Sequence, residues 1–154
     1  MKKHTSRFFC TLVFVIPSIF CFAQSETVPK EVKINYKDAD MDGPNKIKGT
    51  IATLDVQSGN ISTNISSGLF REFDAKFGDK IHVTIFHNIT DDKIIKVYEA
   101  DMPYRATFAD VTKGKPLLYL NSLMQVSFAL RQQSFLAVNH VGSGSEWTVE
   151  LVKK

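Results

Sequence analysis

Few residues in this chain have the types and spacing that chemistry needs. The most specific stretch is Ser58-Gly59-Asn60-Ile61-Ser62-Thr63-Asn64-Ile65, a Gly-Asn corner followed by a short alternating run. An Asn amide at such a corner offers a donor and an acceptor together, which suits the edge of a planar heterocycle as well as a tight turn. Two other polar groups fall at expected strand ends, Thr107-Phe108-Ala109-Asp110 and Asn121-Ser122. Each is also ordinary turn chemistry, because Asn, Asp, Ser and Thr bond their own backbone. Asp38-Ala39-Asp40-Met41-Asp42-Gly43 matches the first half of a calcium loop, with carboxylates at positions 1, 3 and 5 and Gly at 6. The twelfth position should be a bidentate Glu and is Gly49, and Pro44 occupies position 7. Asp38, Asp40 and Asp42 are therefore a weak calcium candidate, and a solvated acidic turn is the favoured reading.

Other site types are missing from the pattern. His82 and His87 are five apart on one expected strand, so they face opposite sides. There is no His-Glu-x-x-His, no Gly-x-Ser-x-Gly and no Gly-rich phosphate loop before a helix. No nucleophile and base can be paired by spacing, so no catalytic residue is assigned. Asn60, Asn64 and Asn88 each open an Asn-x-Ser/Thr triplet, a signal too short to carry weight.

The address comes from the N-terminus. Lys2, Lys3 and Arg7 precede an apolar run that ends in Cys21-Phe22-Ala23, the three-part pattern of a secretory signal peptide over residues 1–23. The expectation is an exported protein, periplasmic or secreted, with no membrane span in the mature chain. The whole chain carries 19 basic and 16 acidic residues, and the leader holds three of the basic ones and none of the acidic. The remainder is balanced at 16 against 16, which argues against nucleic acid as a partner. Both cysteines, Cys10 and Cys21, also lie in the leader, so the mature domain has no disulfide and depends on its core. Its length suits one domain that buries about two thirds of its unfolded surface.

The elements that would position the polar residues read as β. Residues 24–46 are polar, with a weak alternation at 31–37 that suits an edge strand. From 47 to 154 the period is two. Strands are expected over 48–56, 61–65, 80–88, 94–100, 117–122, 126–131 and 147–151. The run 80–88 turns Ile81, Val83 and Ile85 inward and pairs with 94–100 across a turn at 89–93. The run 117–122 is apolar enough for a central strand. Val126, Phe128 and Leu130 share one face, as do Trp147, Val149 and Leu151. Two short helices interrupt, over 66–78 with Gly78 as its stop and over 134–142 ending at Gly142. The fold class is all-β, a small antiparallel β-barrel with two short helices, closed or nearly so.

The order of these pieces carries a resemblance. Ser-Gly-Asn-Ile-Ser-Thr-Asn-Ile, Phe-Gly-Asp-Lys, Tyr-Arg-Ala-Thr-Phe-Ala-Asp-Val-Thr-Lys-Gly, Leu-Tyr-Leu-Asn-Ser and Val-Ser-Phe-Ala-Leu follow one another here. The series resembles the C-terminal β domain of the S-adenosylmethionine hydroxide adenosyltransferases and their fluorinase and chlorinase relatives, over roughly residues 47–152. In that family the active site lies between subunits. A larger N-terminal α/β domain supplies most substrate contacts and the water-activating residues, and the β domain of a neighbour covers the adenine. The resemblance implies that Asn60 reads the adenine edge, that Phe108 lies beside the base and that Ser122, after Asn121, lines the same pocket. It also names S-adenosylmethionine or adenosine as the ligand, with no separate cofactor.

The departures from the family pattern matter equally. Ser58 replaces the aromatic residue before Gly-Asn, which removes one wall of an adenine slot. Leu123 follows Asn121-Ser122 where fluorinase-like members have Arg, and Arg131 stands where the family often has Asn. Residues 24–46 are too short to hold the N-terminal domain. Three roles follow. The first is a module that binds a nucleoside-like small molecule without catalysis. The second is a half-enzyme, an S-adenosylmethionine hydrolase only when a separate α/β partner domain completes the site; a homo-oligomer is a further possible assembly. The third is a structural or protein-interaction domain with a degenerate pocket.

Overall fold

Branched apolar residues in alternation lose least conformational freedom in extended backbone, and here they build a single sheet. The computed structural model describes residues 38–154. The expected leader and the edge strand expected over 31–37 lie outside the described residues. The strands are β1 (Asp40–Met41), β2 (Lys46–Asp55), β3 (Asn60–Ser66), β4 (Lys80–Thr90), β5 (Lys93–Pro103), β6 (Pro116–Leu120), β7 (Gln125–Leu130) and β8 (Gly144–Lys153). Two helices, α1 (Ser67–Glu72) and α2 (Phe135–Asn139), and a 3-10 turn (Phe108–Asp110) complete the chain. The strands follow the order β5-β4-β8-β2-β3-β7-β6, with β1 on the flank of β2, and every ladder is antiparallel.

The sheet curls into a half-barrel. Its two ends meet at one parallel bridge between Tyr104 and Leu118, where Arg105 N donates to Leu118 O at 2.9 Å. The expected class therefore holds, all-β and antiparallel with two short helices. The position of β6 is a correction, because it ends the strand order instead of lying at its centre. Leu117 and Leu118 point to opposite faces and both are fully buried. That gives an end strand the apolar density of a central one.

The interior collects the residues that the alternation assigns to it. Ile81, Val83 and Ile85 of β4, Val126 and Phe128 of β7, and Val149 and Leu151 of β8 are all fully buried. Trp147 is only half-buried and stacks on His87, with ring centroids 4.2 Å apart and planes 7° from parallel. His82 faces the other way, its Nδ1 at 2.7 Å from Asp101 Oδ1.

Both helices are shorter than expected, for one reason. A non-glycine residue takes the left-handed conformation before the glycine is reached. Ser66 caps α1 by accepting from Leu69 N, but the helix ends at Phe73 and Asp74 turns at φ 52°. Gly78 instead docks on the residue after β5, its N donating to Tyr104 O at 2.9 Å. Phe70 and Phe73 enter the core, whereas Phe77 is exposed and stacks on Tyr104. Likewise His140, at φ 53°, ends α2 two residues before Gly142. The β4–β5 turn is tighter than expected, since Thr90 already pairs with Lys93.

Candidate functional site

The Gly-Asn corner is first a piece of architecture. The Asp55 carboxylate accepts from the backbone N of Gln57 and of Ser58, both at 3.1 Å, and from the Ser58 hydroxyl at 2.5 Å. These bonds, the Ser58 hydroxyl foremost, hold its carboxyl below the ordinary range. Ser58 Oγ also accepts from Asn60 N at 3.3 Å. Gly59 turns at φ +75° and packs under the start of α2, where Leu136 N donates to Gly59 O at 2.9 Å. A Cβ at Gly59 would lie 2.5 Å from the Ser134 Cα, so glycine is required twice, by conformation and by approach.

Asn64 is structural as well. Strand β2 carries register shifts between Thr50 and Ile51 against β8 and between Ile51 and Thr53 against β3. Such a bulge displaces backbone groups from the ladder. Asn64 Oδ1 accepts the Thr50 N at 2.8 Å.

Asn60 opens β3, whose register leads into a polar row across three strands. The register sets Ser62 opposite Ser127, and Ser127 opposite Tyr119, across β3, β7 and β6. The side chains of Asn60 and Ser127 act on the Tyr119 phenol, each favouring its ionised form. Ser127 Oγ donates to Ser62 Oγ at 2.9 Å, and Asn121 Nδ2 donates to Ser62 Oγ at 3.0 Å. Burial, reinforced by the charge of Asp55, raises the Tyr119 phenol above its usual range, so the hydroxyl stays protonated and can donate.

The Thr-Phe-Ala-Asp motif supplies an aromatic wall. Ala109 N donates to Thr107 Oγ1 at 3.2 Å, and Thr107 N donates to Asp110 Oδ2 at 3.1 Å, a reciprocal capping box around one 3-10 turn. Arg131 Nη1 fastens the same turn by donating to Ala109 O at 3.2 Å and Val111 O at 2.5 Å. The turn presents Phe108 beside Tyr119, with ring centroids 5.1 Å apart, and leaves Phe108 44% exposed.

The structure thus gathers Ser58, Asn60 and Phe108 on one open depression, with Val56, Leu130 and Gln133 on its rim. Asn121 joins the same network through Ser62, but its Oδ1 is occupied by Leu123 N and Gln125 N at 2.9 and 3.0 Å. Ser122 sits exposed in the turn after β6 and does not line the depression. Sequence reasoning missed Ser62 and Ser127, which bond each other and Asn121, and Tyr119, whose ring packs on Phe108. Their signal was weak, an i, i+2 spacing of Asn60 with Ser62 and of Tyr119 with Asn121.

The acidic loop takes another course. Asp40–Met41 pairs with β2 as strand β1, and Asp42 Oδ2 lies 2.8 Å from Lys48 Nζ and 3.4 Å from Lys46 Nζ. The lysines, Lys48 foremost, hold the Asp42 carboxyl below its usual range. Among the described residues no three of His, Cys, Asp or Glu converge as a metal ion would require. Among them, too, no helix is long and apolar enough to cross a membrane.

Comparison with known proteins bears on the family and the fold. The family model described as the SAM hydroxide adenosyltransferase C-terminal domain matches residues 49–148. Among solved structures, an uncharacterized conserved protein from Thermotoga maritima is similar at 24% identity and a TM-score of 0.60. The match covers 76% of this chain and 39% of that one. A conserved hypothetical protein from Thermus thermophilus matches at 25% identity and a TM-score of 0.49, over 75% of this chain and 37% of the other. The chain therefore spans well under half the length of these solved proteins.

Proposed function

The chain belongs to the SAM hydroxide adenosyltransferase C-terminal domain family, and on that premise we propose that it is an exported, non-catalytic module that binds a nucleoside-like molecule in the Asn60–Phe108 depression. One observation carries the reading. Asn60 and Phe108, 48 positions apart in the chain, line the same open surface, and Arg131 is drawn away from it to fasten the 3-10 turn. An amide beside an aromatic ring is what a purine needs, hydrogen bonds at its edge and a flat apolar face. Adenosine and S-adenosylmethionine are the ligands to try.

No acid–base pair faces the depression, so this domain supplies recognition without chemistry. A second reading has an observation of its own. Val56 and Phe108 both line the depression, and Val56 is 80% and Phe108 44% exposed. An apolar rim of this kind suits an α/β partner domain that completes the pocket from above.

The test is thermal and urea unfolding of the purified chain with adenosine, methylthioadenosine or S-adenosylmethionine, beside Asn60→Ala and Phe108→Ala. A ligand at about 100 times its dissociation constant adds about 2.7 kcal/mol. Stabilisation that both substitutions abolish supports the reading. No stabilisation by any of the three ligands would sink it and leave the rim to protein partners.

A further inference from the structure

Resting on the nucleoside reading of the Asn60–Phe108 depression, we propose that this site takes uncharged nucleosides and rejects anionic nucleotides, and that Asp55 sets the choice.

The lining itself carries no charge. Gln57, Ser58, Asn60, Gln132, Gln133 and Ser134 give it amides and hydroxyls, and the rest is glycine or apolar. Neutral groups of this kind suit the hydroxyls of a ribose and the edge of a base. A phosphate asks for more, because it brings about one and a half to two negative charges and loses water when it enters a cleft. Proteins meet that demand with Arg or Lys, or with free N–H groups at a helix start.

Both devices stand beside the depression, and both are engaged elsewhere. Arg131 falls between Leu130 and Gln132, two lining residues, but its Nη1 donates to Ala109 O and Val111 O. Helix α2 begins at Ser134, which also lines the depression. Its Leu136 N donates to Gly59 O at 2.9 Å and its Ala137 N to Ser134 Oγ at 3.0 Å.

The charge set against the lining is negative. Asp55 is exposed, and its Oδ2 accepts from the hydroxyl of Ser58, a lining residue, at 2.5 Å. Its field reaches the opposite wall, since after burial it is the charge of Asp55 that raises the Tyr119 phenol, and the Tyr119 ring packs on Phe108. Asp110, two residues past Phe108, adds a second carboxylate. Whichever way a ribose points, its phosphate meets carboxylates and no uncommitted cation in the lining.

The test is isothermal titration of the purified chain with 5′-methylthioadenosine and with adenosine 5′-monophosphate, with amide NMR shifts of Gln132 and Gln133 to place the ligand. The two molecules extend the ribose at the same carbon and differ in charge. The uncharged thioether is expected to bind about fivefold more tightly, the order set by like charges a few ångström apart in water. That ratio should narrow as salt is raised. Asp55→Asn keeps an acceptor at the corner and removes the charge. At a temperature where both chains are folded, it should bring the ratio toward one. If neither molecule binds, the nucleoside reading falls and the charge selection with it. If both bind equally well to the native chain, the nucleoside reading stands and the charge selection is overturned. A ratio that Asp55→Asn leaves unchanged overturns the role of Asp55.

Discussion

Gly59→Ala tests whether the Gly-Asn corner is held by close approach or by backbone conformation alone. The added Cβ would stand 2.2 Å from Ser134 Oγ, 2.4 Å from its Cβ and 2.5 Å from its Cα. A hydroxyl can rotate away, but a Cα moves only with its backbone, and Ser134 caps α2 by accepting from Ala137 N at 3.0 Å. Relief therefore requires α2 to lift, stretching the bond from Leu136 N to Gly59 O. Left-handed backbone costs a non-glycine residue about 1–2 kcal/mol, and overpacking adds about 1–3 kcal/mol. The expected loss is about 2–5 kcal/mol, a large part of a typical domain's stability. Gly43→Ala is the control, because Gly43 also turns at positive φ, +85°, but a Cβ there meets nothing within 4 Å. It should show the conformational cost alone, about 1–2 kcal/mol. The reduced freedom of the unfolded chain offsets both by up to about 1 kcal/mol. In urea unfolding, where the slope is about 1–3 kcal/mol per molar, the two variants should separate by roughly a molar in midpoint. If Gly59→Ala unfolds at the same urea concentration as Gly43→Ala, the docking of α2 on the corner is not what holds it.

Two further outcomes follow from the same strands. Asn64→Ala removes the acceptor for Thr50 N at the β2 bulge and should cost about 1–3 kcal/mol in urea unfolding, the range for a buried donor left unpaired. A loss no larger than that of an exposed substitution would show that the bulge does not need Asn64. The second concerns acid. The carboxyls of Asp42, Asp55, Glu99 and Asp101 are all held below their ordinary range, chiefly by hydrogen bonds from Lys48, Ser58, Lys96 and His82 respectively. A carboxyl depressed in the folded state contributes stability that is complete above its unfolded pKa, about 4, and is lost as pH falls through the folded value. The melting temperature should hold from pH 7 to about 5 and drop below about 4. The gap between the native chain and Asp55→Asn should narrow over the same interval. A gap that stays constant down to about pH 3 would contradict the Asp55–Ser58 bond.

The fold was legible in the sequence wherever one strand carried its own signal. Ile81, Val83 and Ile85 alternate, and alternation alone sends them to the same face. Helix ends were less legible, because Asp74 and His140 adopt left-handed backbone that local propensity assigns to Gly78 and Gly142. The place of β6 was illegible for a different reason. Leu117 and Leu118 report burial on two faces, and burial does not say whether a strand or a loop lies alongside. The site divides in the same way. Asn60 and Phe108 could be named from motifs, each a local string. Tyr119, Ser62 and Ser127 could not, since they meet only through the register of β3 on β7 and β7 on β6. Register is a relation between strands distant in the chain, and no spacing within one strand encodes it.

That register changes the meaning of Ser58. Where the family carries an aromatic residue before Gly-Asn, this chain has a hydroxyl, and the hydroxyl binds Asp55 and receives Asn60 N. The substitution strengthens the turn that places Asn60 while removing a ring that would lie against a base. On the proposed reading, a base seated in the depression would meet the Asn60 amide and a single aromatic wall, Phe108, whose turn is fixed by a capping box and by Arg131. Its second face lies open toward Gln132 and Gln133, polar side chains on the exposed side of the rim. Such a site would keep edge recognition and halve stacking. The domain would then select its ligand by the purine edge and depend on whatever covers the rim for tight binding. This joins the nucleoside reading to the partner reading, because the exposed Val56 and Phe108 are where a covering partner would supply the missing wall.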